Sequence, residues 1–239
     1  TTGLTHIIAV SGYNITIVVL LVERLLGFLG RRFKVLFAAL FVLFFVIFVG
    51  ASAAVVRAGI MAGISLMAIW FGRNYFVVGA FFLTGALMAL WNPLIIVYDI
   101  GFQLSFLATA AILFLVPRME KWFMWLPTEY ALRESFVITV AAQLVALPVI
   151  WANFGRFSLI APLVNLLVLP FVPYAMLFGF VSILAGKAVG FFGYLVLNWI
   201  IAVVEFFAGF SWAALEGGIF LNWWAVIYYW LLVEFMLES

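Results

Sequence analysis

Apolar residues fill this chain in long stretches, and polar residues are confined to short breaks. About nine apolar segments stand out, at roughly 4–29, 33–50, 52–71, 75–91, 97–117, 133–152, 158–185, 188–213 and 219–236. Stretches of ~17–25 residues are the length a helix needs to cross the hydrocarbon of a bilayer. The alternation that marks transmembrane barrel strands is absent. The pattern predicts an all-α, polytopic transmembrane helical bundle. Two segments are weak as simple spans, 4–29 for its polar start and 158–185 for Pro162, Pro170 and Pro173. Such segments are expected to be broken or re-entrant. Connections are short and marked by Gly, Pro and charge. The longer connection at 118–132 carries Trp122, Phe123 and Trp125 beside Arg118 and Lys121, which suits a stretch lying at the interface.

Composition strengthens the assignment. The chain is 69% hydrophobic and 8% charged, whereas ordinary soluble domains carry roughly 25% charged residues. With no cysteine there is no disulfide framework and no thiolate metal site. His6 is the single histidine, so no histidine cluster can hold a metal. No cofactor or metal is expected. The net charge of +2 does not by itself announce nucleic acid. Thr1 leads straight into an apolar segment with no signal peptide, which reads as a piece of a larger protein.

Basic residues predict the orientation. If every segment spans, Arg24, Arg31, Arg32, Lys34, Arg73, Arg118, Lys121, Arg133 and Lys187 fall on one side, and Arg57 and Arg156 on the other. That split places Thr1 outside and Ser239 in the cytoplasm.

Arg57 is the most informative residue. An ionised guanidinium within an apolar segment costs at least ~2.5–3.5 kcal/mol on insertion scales, so it is expected to face a cavity, a partner or a passing solute. The bland alternative is snorkelling toward the nearby Gly50 break. Ser52 precedes it, and Gly59 and Gly63 form a small-residue stripe that suits close helix approach.

Three further polar groups interrupt the apolar pattern. In the first segment His6 and Asn14 lie ~80° apart on a helix and Ser11 ~140° from His6, all within one broad face. That face fits either a cavity lining or hydrogen-bonding glue between helices. Asp99 and Gln103 are four apart, followed by Ser105; Asp99 fits either an ion pair with Arg57 or a helix cap after Asn92-Pro93. The third group runs through Gln143, Pro148, Asn153, Arg156, Ser158, Pro162, Asn165 and Pro170. Proline within a span frees carbonyls that protein, water or a translocated solute must satisfy, and broken helices of this kind occur at transport sites. Simple kinking is the alternative. Asn198 and Glu205 add a late polar pair. The candidate polar path is therefore His6, Ser11, Asn14, Arg57, Asp99, Gln103, Ser105, Gln143, Asn153 and Asn165. No catalytic residue is assigned: His6 and Ser11 diverge, and neither a phosphate loop nor HExxH is present.

These residues also carry a resemblance. Gly3-Leu4-Thr5-His6-Ile7-Ile8-Ala9-Val10-Ser11-Gly12 resembles the G-L-x-H-L-L-A-(V/I)-S-G signature of the ComEC family, the inner-membrane DNA-uptake channel of natural competence. Arg57-Ala58 with Met61 is similar to its R-A-x-x-M stretch. Asn92-Pro93 and Asp99-Ile100-Gly101-Phe102-Gln103-Leu104-Ser105-Phe106 resemble its N-P and D-x-G-F-Q-L-S-F block, and Gln143, Pro148, Phe154, Ser158, Asn165 and Pro170 its Q…P…F…S…N…P run. One departure stands out: many members have a histidine after S-G-L, where this chain has Tyr13-Asn14. Asparagine keeps a hydrogen-bonding group there but cannot titrate.

The resemblance implies a channel that passes one DNA strand into the cytoplasm while the other is degraded outside. It implies single-stranded DNA and the bilayer as partners, with a cytoplasmic helicase-like motor and an outer DNA receptor in family members. It also implies that 1–239 is the channel-forming domain alone, without the OB-like and nuclease-like domains of full members. Tyr13, Phe102, Phe106 and Phe154 are candidates to stack bases, among 28 phenylalanines that mostly pack or face lipid. The alternatives are a secondary transporter of a small polar solute, using Asp99 or Glu205, and an intramembrane hydrolase built on Ser11.

Overall fold

The structure is a computed structural model that describes residues 12–26, 28, 30–125, 132–210, 214–216 and 222–238. Nearly all of these are helical. Six helical stretches are long and apolar enough to cross a membrane: Arg31–Val49, Ala53–Trp70, Ile100–Phe123, Arg133–Phe154, Ala161–Ile183 and Lys187–Ala208. Val77–Trp91 and Trp223–Phe235 are shorter apolar helices. The first predicted segment is described from Gly12, as a 14-residue helix. The described residues form two compact units, one ending at Phe106 and the other starting at Leu107.

The first unit holds α1 (Gly12–Leu25), α2 (Arg31–Val49), α3 (Ala53–Trp70), α4 (Val77–Trp91), the short α5 (Ile95–Tyr98) and the start of α6 (Ile100–Ala110). Helices α1, α2 and α3 pack around Ile15, Val42, Val55 and Ala58, with Val35, Ala38 and Leu66 forming a second cluster between α2 and α3. Gly59 permits that closeness, since a Cβ there would lie 2.8 Å from the Val46 side chain. Gly63 faces open space, so only half of the predicted glycine stripe is used. Both α2 and α3 end in Schellman caps. Gly50 (φ 98°) and Gly72 (φ 66°) take the left-handed position, and the amides of Ala51 and Arg73 return to the carbonyls of Val46 and Ala68. Helix α4 packs on α6 through rings, with Phe102 and Phe106 4.3 Å apart and Phe81 5.3 Å from Phe106.

The second unit continues α6 through a π-helical turn, Ala111–Leu115, into α7 (Val116–Met119) and a 3₁₀ turn, Glu120–Phe123. Helix α8 (Leu132–Phe154) packs Val137, Ala141 and Val145 against Ala111, Leu115 and Met119. Next come β1 (Arg156–Ser158), α9 (Ala161–Val168), a 3₁₀ turn at Leu169–Phe171, α10 (Val172–Ala185), α11 (Lys187–Ala208), β2 (Ala214–Glu216) and α12 (Asn222–Glu238). Pro162 and Pro173 are each the second residue of a helix and so begin helices rather than break them. The break in the 158–185 segment falls at Pro170, within the 3₁₀ turn. Only Pro148 lies inside a described helix of regular α form. The antiparallel pair β1–β2, with Phe157 opposite Leu215, is a feature the apolar pattern did not predict.

Candidate transport path

In the first unit the guanidinium of Arg57 is held between helices. Its Nε donates to Ser105 Oγ on α6 at 2.6 Å, and Nη1 lies 3.5 Å from Met61 Sδ one turn along α3. Tyr75, in the connection after α3, sends its hydroxyl back to the Met61 carbonyl at 3.4 Å. Burial raises the Tyr75 phenol above its usual pKa, and the neighbouring Arg57 charge opposes that rise. The side chain of Arg57 thus donates to a neighbouring helix, and its charge is felt by Tyr75 in the returning loop. Sequence alone does not single out Tyr75, because a tyrosine beside Arg73 and Asn74 resembles any interfacial aromatic.

Asp99 and Gln103 serve the chain between α5 and α6. Asp99 Oδ1 accepts from the amide of Phe102 at 2.8 Å, capping α6. Gln103 Nε2 reaches back to the carbonyls of Ile96 and Val97 at 3.0 and 2.9 Å. Of the two readings open for Asp99, the cap is the one formed. Asp99 also lines an open depression of roughly 450 Å³ with Asn92, Leu94, Ile95, Tyr98 and Ile100. Asn14 is buried beside Ile15, where α1 meets α2 and α3. His6 and Ser11 lie outside the described residues, as does the side chain of Tyr13.

The second unit gathers another polar group. Gln143 Nε2 on α8 donates to the Ser158 carbonyl at 3.0 Å, tying the helix to β1. One turn earlier, Thr139 Oγ1 donates to the Ser135 carbonyl and accepts from Asn165 Nδ2 on α9 at 3.3 Å. Asn165 is only 2% exposed, and its Oδ1 has no hydrogen-bond partner among the described residues. Thr139 was not singled out in the sequence, since a threonine in an apolar run is unremarkable. Asn153 is exposed and bonds back to the Val149 carbonyl. Asn198 and Glu205 are also exposed on α11, and Phe154 is exposed at the end of α8. Phe102 is buried in the ring cluster.

The carbonyls around Pro148 are satisfied by protein. Pro148 has no N–H for the Leu144 carbonyl, and the Tyr228 hydroxyl from α12 donates to it instead at 2.9 Å. Tyr229 does the same for the Val145 carbonyl at 3.0 Å.

Six potential spans with polar side chains turned onto neighbouring helices define a polytopic helical membrane protein. The family model described as Competence protein matches residues 1–238, and this chain belongs to that family. It is similar to ComE operon protein 3 of Bacillus subtilis (strain 168), with 28% identity over 203 residues, which is 82% of this chain and 25% of that protein. The chain thus spans about a quarter of the length of the curated relative it matches. No solved structure matches it. Family and helices together make it a multi-pass protein of the bacterial cell membrane.

Proposed function

We propose that this domain takes part in DNA uptake during natural competence, as the membrane passage for a single strand entering the cytoplasm. The observation that carries the reading is Arg57, a fixed cation within the α3 span that donates to Ser105 across a helix boundary. A polyanion crossing a low-dielectric layer needs positive potential along its way, and an arginine there acts far more strongly than one in water. Membership of the Competence protein family supports the same reading. The path residues proposed are His6, Ser11, Asn14, Arg57, Asp99, Gln103, Ser105, Gln143, Asn153 and Asn165. Chemistry on the DNA is assigned to none of them.

One observation favours a second reading, transport of a small polar solute. Asn165 Oδ1 is buried without a partner among the described residues, on a segment that breaks at Pro170. Uptake of labelled DNA compared with labelled small solutes, in cells with and without the gene, separates the two. DNA uptake that is normal without the gene ends the first reading.

A further inference from the structure

We infer that the shared end of α2 and α3 is a binding surface for the phosphate headgroup of an anionic phospholipid. Two segments far apart in sequence meet there. Arg31 Nη2 lies 3.5 Å from where a Cβ on Gly72 would stand. The Arg32 guanidinium sits 6.0 Å from the centre of the Trp70 ring, within reach of a cation–π contact. The Schellman cap at Gly72 turns the chain so that Arg73 follows directly. Arg31, Arg32 and Arg73 are exposed, with Lys34 one turn into α2.

The positive-inside rule accounts for the side on which these charges lie, but not for their meeting at one end of α2 and α3. Among the described residues none of these cations is paired with a carboxylate. The first turn of α2, which carries three of them, is the end of a helix where its dipole disfavours cations. An anion outside the fold is therefore the natural complement.

The surrounding side chains decide which anion. Phe33 and Phe71 are 61% and 68% exposed, and each is within two residues of one of these arginines. Beyond them α2 presents Leu36, Leu40, Leu43 and Ile47, all exposed along the same helix. Such a surface belongs against acyl chains. Arginine stems can lie along that boundary while their heads reach phosphate. A single-stranded nucleic acid would meet the same cations from water alone, whereas a lipid sets its phosphate beside the exposed Phe33 and Phe71 and its acyl chains along Leu36 and Leu40.

The test uses the purified chain with Phe33→Cys as its only cysteine, labelled with a bilayer-sensitive fluorophore. In nanodiscs, phosphatidylglycerol with brominated acyl chains should quench the label well beyond its mole fraction, and brominated phosphatidylcholine should not. Each cation near an anionic surface contributes about fivefold, so Arg31→Gln, Arg32→Gln and Arg73→Gln together should lower the preference on the order of a hundredfold. The corresponding triple lysine variant should keep most of it. High salt should weaken the preference in the unaltered chain, which tests the idea even if the triple variant does not fold. Equal quenching by the two lipids in the unaltered chain overturns the inference. So does a preference that survives the triple glutamine change, or one that a single-stranded oligonucleotide abolishes by taking the cations for itself. The outcome is independent of whether DNA passes through the domain.

Discussion

The hydroxyl of Tyr228 donates to the carbonyl of Leu144, the group to which Pro148, four residues on, can offer no N–H. Proline inside a membrane helix normally leaves such a carbonyl for a neighbour to satisfy. Here the neighbour is α12, and Tyr229 extends the contact to Val145. Leu232 and Phe235 of the same helix pack on the α8 core, so hydrogen bonds and apolar contacts dock one surface. At Pro148, then, a neighbouring helix supplies donors to the carbonyls one turn back.

That relationship predicts a coupling. Tyr228→Phe should destabilise the protein by about 1–3 kcal/mol, the cost of leaving a buried carbonyl without a donor. In a Pro148→Ala background an N–H returns at position 148, and the same change should cost much less. Unfolding of the four proteins in detergent gives the coupling. Equal losses in both backgrounds would show that the hydroxyl is not serving the carbonyl freed by Pro148.

Asp99 yields a second contrast. As a cap its carboxylate can be replaced by an amide, because Asn caps helices about as well as Asp. Asp99→Asn should accumulate and melt like the unaltered protein, whereas Asp99→Ala should lose about 0.5–2 kcal/mol. If Asp99→Asn proves as unstable as Asp99→Ala, the charge itself is needed and the cap is not its main role.

Orientation can be read directly, because the chain has no cysteine of its own. With nine of eleven basic residues predicted on one side, a cysteine at Arg31 or at Trp125 should resist an impermeant maleimide in intact cells and react after permeabilisation. Labelling of Arg31→Cys from outside would reverse the orientation.

Much of this was legible in the sequence for a physical reason. Long apolar runs have few alternatives to helices in a bilayer, so each predicted segment meets a described helix. Gly50 and Gly72 end helices where the pattern breaks. Pro162 and Pro173 were harder, because a proline that starts a helix and one that interrupts it look alike in an apolar run. The β1–β2 pair was out of reach, since three-residue strands are set by tertiary pairing and not by pattern. Arg57 announced itself through its desolvation cost. Its partner Ser105 lies in the block from Asp99 to Phe106, where the charge of Asp99 and not the hydroxyl of Ser105 pointed to Arg57, and Tyr75 and Thr139 carried no local signal at all.

The sharpest prediction concerns Arg57. Arg57→Ala should abolish or strongly reduce DNA uptake while the protein still inserts and accumulates, measured in the native gene product as labelled DNA reaching a nuclease-resistant pool. The argument starts from cost: a guanidinium in the α3 span is expensive, and the hydrogen bond to Ser105 contributes about 1.5–3 kcal/mol toward holding it there. A strand with one phosphate per nucleotide gains from positive potential inside a low-dielectric wall, and Arg57 lies one turn into the α3 span. Ser105→Ala separates positioning from charge, since it removes the acceptor of Arg57 Nε and leaves the cation in place. It should reduce uptake less than Arg57→Ala does. Arg57→Lys keeps a charge but loses the planar fork, so partial activity there assigns the role to charge, and none assigns it to geometry. Normal uptake with Arg57→Ala would remove Arg57 from the path. Loss of the protein from the membrane would make it a structural residue, and in that case Ser105→Ala should lower the level of the protein as well.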